Sequence, residues 1–145
     1  MIYISSDHAG FKLKEKLKNY LKKQNHIIKD LGPEKLNKKD DYPDYAKLLC
    51  KKVLKNKSKG ILICGSGHGM AITANKFKGV YATVCWNSKS AKYAKAHTNI
   101  NVLCLPAKFI TEPQAKTITN QWLKTKFSKA KRHKTRINKI KKIEK

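Results

Sequence analysis

The sequence has no long apolar run. None of its 145 residues lies in a stretch approaching the roughly 20 apolar residues that a membrane-spanning helix needs. The opening segment has only a short apolar stretch before Ser5 and Asp7, which is too short for the core of a signal peptide. We therefore expect neither export nor membrane insertion, and a cytoplasmic location.

Cysteine is scarce, and its spacing forms no ligand or disulfide motif. Cys50, Cys64, Cys85 and Cys104 lie far apart, with no C-x-x-C pair and no histidine at a matching interval. This pattern argues against a zinc site and against a framework of disulfide bonds. The sequence predicts four free thiols in a reducing compartment.

Acidic residues are also few. Nine Asp and Glu stand against 34 Lys and Arg, and the formal net charge is +25. Such a charge is typical of nucleic-acid-binding proteins, so a basic nucleic-acid-binding module is one hypothesis for the function. However, only Arg132 and Arg136 are arginine, whereas base readout and stacking favour arginine and exposed aromatic residues. We therefore favour a solvated lysine-rich surface with no specific nucleic-acid partner.

What the sequence does contain is an alternation of apolar runs and helical patterns. The clearest run covers residues 60–64 and is typical of a parallel strand that is covered on both faces. Apolar residues at helical spacing separate it from similar runs on either side. The predicted strands cover residues 2–4, 27–31, 60–64, 80–86 and 101–105, and the predicted helices start near residues 11, 43, 69, 88, 112 and 131.

This alternation predicts βαβ units and hence one α/β domain over residues 1–145. We expect three α/β/α layers around a parallel sheet of about five strands, as in Rossmann-like folds. The third and fifth of the predicted helices should end near residues 77 and 127. In the C-terminal helical segment from about residue 131, isoleucines at a spacing of three, Ile137, Ile140 and Ile143, predict a helix that docks on another surface.

Glycines are concentrated at one strand end. Gly65, Gly67 and Gly69 alternate with Ser66 and His68 directly after the clearest strand. Their backbone N–H groups can converge on an anion, although a simple strand-to-helix turn has the same composition. Dinucleotide-binding and P-loop spacings are absent.

Cys64 precedes this loop, where a thiol is either a base or nucleophile or a buried inert residue. Position alone does not separate these two roles. For Cys50, Cys85 and Cys104, which lie within a predicted helix or strand, packing is the favoured role.

Arg132 and Arg136 are four residues apart and therefore share one helical face. In a chain that otherwise uses lysine, they indicate a need for the planar guanidinium that grips phosphate or carboxylate. Two surface charges placed by chance are the alternative.

Five motifs, taken together, resemble the type B ribose-5-phosphate isomerases, whose family also contains galactose- and allose-6-phosphate isomerases. The resemblance covers nearly the whole chain, and the order and the intervals of the motifs match. The motifs are Ser6-Asp-His-Ala-Gly-Phe-Lys12, Asp41-Tyr-Pro-Asp-Tyr-Ala46, Ile63-Cys-Gly-Ser-Gly-His-Gly69 with Ala74-Asn-Lys76, His97 with Asn101-Val-Leu103, and Arg132-His-x-x-Arg136.

The resemblance implies an aldose–ketose isomerase that needs no metal or organic cofactor. Cys64 would move a proton between C2 and C1 through an enediolate, and Ser66 would hydrogen-bond the O1 end. His97, supplied by a neighbouring subunit, would open the sugar ring with the help of Asp7. The developing oxyanion would be held by the amides near Gly65, Gly67 and Gly69.

The resemblance also implies the substrate-binding residues and the assembly. His8, Arg132 and Arg136 would bind the phosphate, and Tyr42 would line the pocket. The expected assembly is a homodimer or a dimer of dimers whose active sites are shared between subunits. The expected substrate is ribose 5-phosphate, and a hexose 6-phosphate such as allose or galactose 6-phosphate is the alternative.

Two positions depart from the family pattern. The family commonly has Asn directly after the ring-opening His, whereas here Thr98 follows His97 and Asn99 comes next. We still expect Asn99 to contact the substrate. Lys108 stands where the family usually has Arg, which keeps the charge for substrate binding but loses the bidentate fork.

Overall fold

Five parallel strands form a single sheet in the computed structural model, which describes residues 1–144. The strands are β1 (Ile2–Ser6), β2 (Ile28–Asp30), β3 (Lys59–Cys64), β4 (Ala82–Val84) and β5 (Val102–Pro106). The helices are α1 (Phe11–Lys23), α2 (Tyr42–Lys55), α3 (His68–Ala74), α4 (Ser88–Thr98), α5 (Glu112–Lys124) and α6 (Lys131–Ile143).

The strand order in the sheet is β2-β1-β3-β5-β4, and every neighbouring pair is parallel. β3 lies at the centre, where its residues pair with β1 on one side and with β5 on the other. Both of its faces are covered, which explains why its sequence is apolar without alternation. The predicted α/β/α architecture is confirmed.

Two apolar clusters fill the space between the sheet and the two helical layers. Ile61 and Ile63 of β3 face the layer of α1, α4 and α5, whose Trp122 is fully buried. Leu62 and Cys64 face the layer of α2 and α3. Since successive side chains of a strand point to opposite faces, the strand that anchors one core also anchors the other.

Local sequence signals explain where several helices begin. Asn87 and Thr111 cap α4 and α5, and each forms a reciprocal capping box with the residue three positions later. Pro43 lies in the first turn of α2, where the missing N–H costs no helical hydrogen bond. No helix within residues 1–144 is long and apolar enough to cross a bilayer.

Several predicted boundaries differ from those of the structure, because apolar runs indicate burial and not backbone pairing. β4 covers only Ala82–Val84, although Val80 and Cys85 on either side of it are buried. The third predicted helix ends at Ala74 and the fifth at Lys124, both short of the expected positions.

α6 docks through only part of its isoleucine stripe. Ile137 is buried together with His133, whereas Ile140 is 41% exposed and Ile143 is 77% exposed. Within the chain, the predicted docking of this helix on another surface therefore involves Ile137 and not the whole stripe. The helix packs against α4 through its first half.

Candidate active site

Cys64 is the last residue of β3 and lies at the carboxyl edge of the sheet. Its Sγ accepts a hydrogen bond from the Gly67 N–H at 3.1 Å, and the residue is 4% exposed. The end of β5 fixes the same turn, because the Ala107 N–H donates to the Cys64 carbonyl and the Lys108 N–H to the Gly65 carbonyl, both at 2.9 Å. The thiol is therefore held in place by the loop that follows it.

The glycine loop is packed too tightly for larger residues. Gly67 has a φ of +78°, a conformation that side chains disfavour. A β-carbon at Gly69 would lie 2.4 Å from the ring of Tyr42, so the tyrosine covers the loop directly. A β-carbon at Gly65 would lie 3.3 Å from the side-chain carbons of Lys108. Tyr42 and Lys108 are thus both placed against the loop.

Asp7 lies beside the same strand end. Its N–H donates to the Ile63 carbonyl at 3.2 Å, and its carboxylate accepts the Gly10 N–H at 3.0 Å. The residue is 6% exposed. Close packing of Gly10 against the Ile63 carbonyl brings the start of α1 onto β3, because a β-carbon at Gly10 would lie 2.4 Å from that oxygen.

His8, the next residue, is bound by a carboxylate that the sequence analysis did not single out. Its Nδ1 lies 2.6 Å from Asp40 Oδ1. The hydrogen bond from Asp40 raises the pKa of His8 above its usual value, in spite of partial burial, and the charge of Asp7 acts in the same direction. His8 is therefore biased toward its cationic form, which suits an anion.

We name the residues at this edge the strand-end group. Within it, Ser66 Oγ accepts the His68 N–H at 3.3 Å and so belongs to the loop itself. Its members combine a thiol, loop amides, a carboxylate and two basic groups. The strand-end group consists of Asp7, His8, Tyr42, Cys64, Gly65, Ser66, Gly67, Gly69 and Lys108.

The remaining predicted residues form a second group around the end of α4. The His97 ring lies 4.3 Å from the His133 ring and 5.0 Å from the Tyr93 ring, measured between centroids. His97 opens on a depression of about 500 Å³ that Tyr81 and Ile140 also line. We call this the helix-end group, and its members are His97, Asn99, Arg132, His133 and Arg136.

Electrostatics in the helix-end group favour a neutral His133. Burial lowers the pKa of His133, and the neighbouring His97, Arg132 and Arg136 lower it further. Its Nδ1 is hydrogen-bonded to Ser128 Oγ at 2.6 Å. Arg132 and Arg136 themselves are exposed.

Asn99 has a structural task in the chain. It ends α4 with a φ of +52°, and its side-chain oxygen accepts a hydrogen bond from Lys95 Nζ at 2.7 Å. A residue in this conformation closes a helix and is commonly Gly or Asn. The predicted contact of Asn99 with substrate stays a prediction.

The two groups lie at opposite edges of the sheet. α4 starts at Ser88 after the carboxyl end of β4 and ends at Thr98 before the amino end of β5. Because all five strands are parallel, α4 crosses the sheet from its carboxyl edge to its amino edge. His97, in the last turn, is therefore remote from Cys64 of the same chain.

The other three thiols are packing groups. Burial raises the pKa of Cys50 to about 12 and that of Cys85 to about 11. Burial also raises the pKa of Cys104 well above its ordinary value. No group of three or more His, Cys, Asp or Glu within residues 1–144 is arranged to hold a metal ion.

The carboxyl edge of this parallel sheet carries a thiol, a glycine loop and the hydrogen-bonded carboxylate of Asp7. This arrangement is expected of an α/β enzyme that acts on a small anion. Residues 2–140 match the family model described as Ribose/Galactose Isomerase, and the chain belongs to that family. The resemblance noted from the motifs is thereby confirmed.

Individual relatives agree with this assignment. The chain is 44% identical to the probable ribose-5-phosphate isomerase B of Mycoplasma genitalium, over 99% of this chain and 95% of that protein. A crystal structure of the Mycoplasma genitalium ribose-5-phosphate isomerase B with bound ribulose 5-phosphate has a TM-score of 0.94 at 43% identity and covers 99% of this chain and 95% of that one. The ribose 5-phosphate isomerase of Thermotoga maritima has a TM-score of 0.93 at 42% identity, with 97% of each chain covered.

Proposed function

We propose that this protein interconverts ribose 5-phosphate and ribulose 5-phosphate, with Cys64 as the base that moves a proton between C2 and C1. The observation that carries the proposal is the position of the Cys64 thiol, which lies at the strand end and is fixed by the Gly67 N–H at 3.1 Å. Family membership and the similarity to isomerases of the B type support this reaction over a nucleic-acid-binding role.

The chemistry follows from the neighbours of the thiol. Removal of the C2 proton by the Cys64 thiolate places negative charge on the carbonyl oxygen O1 and gives an enediolate. The hydroxyl proton then passes from O2 to O1, and return of the proton from Cys64 to C1 leaves the carbonyl at C2. Amides of the loop over residues 65–69 and the Ser66 hydroxyl stabilise the oxyanion, because fixed donors lower the barrier without having to reorient. Asp7 assists proton transfer during ring opening.

We further propose that the working enzyme is a homodimer, or a dimer of dimers, that combines the two groups across subunits. The helix-end group of one chain completes the strand-end group of another. His97 then opens the sugar ring, and Arg132 and Arg136 bind the phosphate together with His8 of the other chain. The separation of His97 from Cys64 across the sheet supports this proposal. Its place would be the cytoplasmic pentose phosphate pathway.

The test compares isomerase activity of the wild type with that of the Cys64→Ala and Cys50→Ala variants, all checked for folding by circular dichroism. We expect turnover of ribose 5-phosphate by the wild type and a loss of at least about 10³-fold for Cys64→Ala, in the range seen when a positioned acid–base group is removed. Cys50→Ala removes a buried thiol from α2 and should keep kcat.

Two outcomes would contradict the proposal. Full activity of Cys64→Ala would move the base to another residue. Faster turnover of allose 6-phosphate or galactose 6-phosphate than of ribose 5-phosphate, measured as kcat/KM, would assign the hexose reaction instead.

A further inference from the structure

The pair formed by His8 and Asp40 is built more elaborately than an ordinary surface contact. Asp40 Oδ1 accepts two hydrogen bonds from the same residue: it lies 2.6 Å from His8 Nδ1 and 3.0 Å from the His8 backbone nitrogen. One carboxylate oxygen therefore fixes both the ring and the backbone of His8, although 32 residues separate the two positions in the chain.

The burial of the two partners is unequal. The side chain of Asp40 is 4% exposed, whereas that of His8 is 39% exposed. A buried carboxylate is costly without a cation or donors to compensate it. Among the residues that the structure describes, His8 is the basic partner of Asp40, and Asp40 Oδ2 has no hydrogen-bond partner. The pair is therefore anchored from the protein side, and the exposed part of the imidazole is left for a ligand.

We propose that Asp40 is a positioning residue, which holds the His8 imidazolium through its Nδ1–H and leaves the Nε2–H to bind the substrate phosphate. This inference rests on the proposed function, because it deepens the role of His8 in that site. The two ring nitrogens of histidine act separately, and the bond made by one sets what the other presents. With Nδ1–H committed to Asp40, Nε2 carries a proton and can donate to phosphate only in the cation, whereas in the neutral ring it is an acceptor.

The charges around the pair give the proposal a pH dependence. Asp40 and Asp7 both raise the pKa of His8. Tyr45 of α2 also senses Asp40: burial first and the charge of Asp40 second raise the pKa of this tyrosine, and the charge of Asp44 acts in the same direction. Among the basic side chains at this edge, Lys108 is packed against Gly65, which also lies near Ala9. Removal of the Asp40 charge should therefore lower the pKa of His8, so that its positive charge is lost at a lower pH.

The direct experiment is an NMR titration of the His8 ring in the wild type and in Asp40→Asn. The matched control is Asp41→Asn, which removes the same charge one residue further on, where the side chain forms no capping hydrogen bond to α2. We expect His8 to titrate at a lower pH in Asp40→Asn and at the wild-type pH in Asp41→Asn. At a pH between the two His8 titrations, binding of inorganic phosphate, followed by the same ring signals, should be weakened only in Asp40→Asn.

Kinetics provide the second readout. At a pH between the His8 titrations of the two proteins, we expect Asp40→Asn to raise the KM for ribose 5-phosphate about tenfold, which corresponds to the loss of one hydrogen bond to a charged group. The ratio of variant to wild-type KM should shrink toward one as the pH falls below the His8 titrations of both proteins, as measured by NMR. Because the substrate phosphate titrates identically in every variant, its ionisation cancels in this ratio.

An unchanged His8 titration in Asp40→Asn overturns the proposal, as does a KM ratio that is independent of pH, which would indicate a merely structural role. Failure of the proposed function looks different. In that case the wild type does not turn over ribose 5-phosphate, while the His8 titration and the phosphate titration still report on Asp40.

Discussion

Gly67 combines two tasks at the scale of a single residue. Its φ of +78° turns the chain, and its N–H binds Cys64 Sγ. Val84 packs closely, since a β-carbon at Gly67 would lie 3.0 Å from Val84 Cγ1. A side chain here therefore strains the backbone and displaces the amide that fixes the thiol.

We predict that Gly67→Ala lowers the free energy of unfolding by about 1–3 kcal/mol and also lowers kcat for ribose 5-phosphate. Gly79→Ala is the matched control, because Gly79 has a φ of +83° but lies in the turn before β4. It should show a similar loss in urea unfolding with an unchanged kcat. Equal loss of activity in both variants would mean that the amide at Gly67 has no special role.

The sequence identified most residues of the strand-end group, but it did not identify Asp40, the residue that holds His8 in place. Cys64, its glycine loop and His8 were recognised because their motifs match a family and follow predicted strands. Asp40 was missed, since it lies among several charged residues in a loop between β2 and α2, and no periodicity shows which carboxylate folds back. The neighbouring pair Asp40-Asp41 before Tyr42-Pro43 was the one available signal, and it does not identify the buried member.

At the scale of elements, α6 offers an internal comparison. Ile137 is 8% exposed and Ile143 is 77% exposed on the same helix. We predict that Ile137→Ala lowers the free energy of unfolding by about 2–4 kcal/mol, whereas Ile143→Ala changes it by less than about 0.5 kcal/mol. Urea unfolding of both variants tests this. A large loss for Ile143→Ala would instead show that the exposed end of the stripe is covered in solution.

The contact between α1 and β2 depends on the fully buried ammonium group of Lys14. Lys14 Nζ contacts Asp30 Oδ1 at 2.9 Å, Asp30 Oδ2 at 2.8 Å and the Pro33 carbonyl at 2.8 Å. Burial by itself raises the pKa of Asp30, but the hydrogen bonds from Lys14 and Lys18 outweigh it and lower the pKa below the usual 3.8. The resulting stability is fully present above the ordinary pKa of Asp30 and is lost as the pH falls through its lower folded-state value.

We predict that Lys14→Ala lowers the free energy of unfolding by about 3 kcal/mol at pH 7, because it leaves Asp30 without its main partner. The variant should also show a weaker loss of stability between pH 4 and lower pH than the wild type does. Lys16→Ala, which removes an exposed lysine from the same helix, is the control. Parallel acid-unfolding curves for Lys14→Ala and wild type would contradict this account.

Element boundaries were less predictable than element order. The alternation of apolar runs fixes βαβ order because each run needs cover on both sides. The same alternation does not determine where the hydrogen bonding between neighbouring strands ends. Asn75 shows the reason: its side chain exchanges hydrogen bonds with the Ala82 backbone at 2.7 Å and 2.9 Å, which closes α3 early and starts β4 late. Such a contact between a side chain and the backbone seven residues later leaves no periodic pattern in the sequence.

At the scale of the whole molecule, the separation of the strand-end group from the helix-end group allows the proposed sharing of one site between two subunits to be tested by mixing variants. Cys64→Ala and His97→Asn should each be inactive on the ring-closed substrate. In a mixed dimer, one of the two sites combines an intact Cys64 with an intact His97. Co-refolding equal amounts should therefore restore about one quarter of wild-type activity, because half of the dimers are mixed and each has one good site.

Mixing Cys64→Ala with Asp7→Asn is the control for this experiment. Both substitutions lie in the strand-end group, so in a mixed dimer each site carries one of the two defects and no activity should return. If activity returned in this control as well as in the test, the recovered activity would not come from subunits with complementary defects. Absence of recovery in the test, with mixed dimers confirmed by native mass spectrometry, would place a complete site within one chain.

Burial of the four cysteines has a practical consequence for counting active enzyme. Cys50, Cys85 and Cys104 are fully enclosed, and their raised pKa values keep them protonated at neutral pH. Electrophiles react with the thiolate form, so these three side chains are silent toward alkylation of the native fold. Cys64, which borders the loop at the carboxyl edge, is the remaining target. A slow alkylating reagent should therefore add once per chain, and the moles of adduct at complete inactivation should equal the moles of competent catalytic centres.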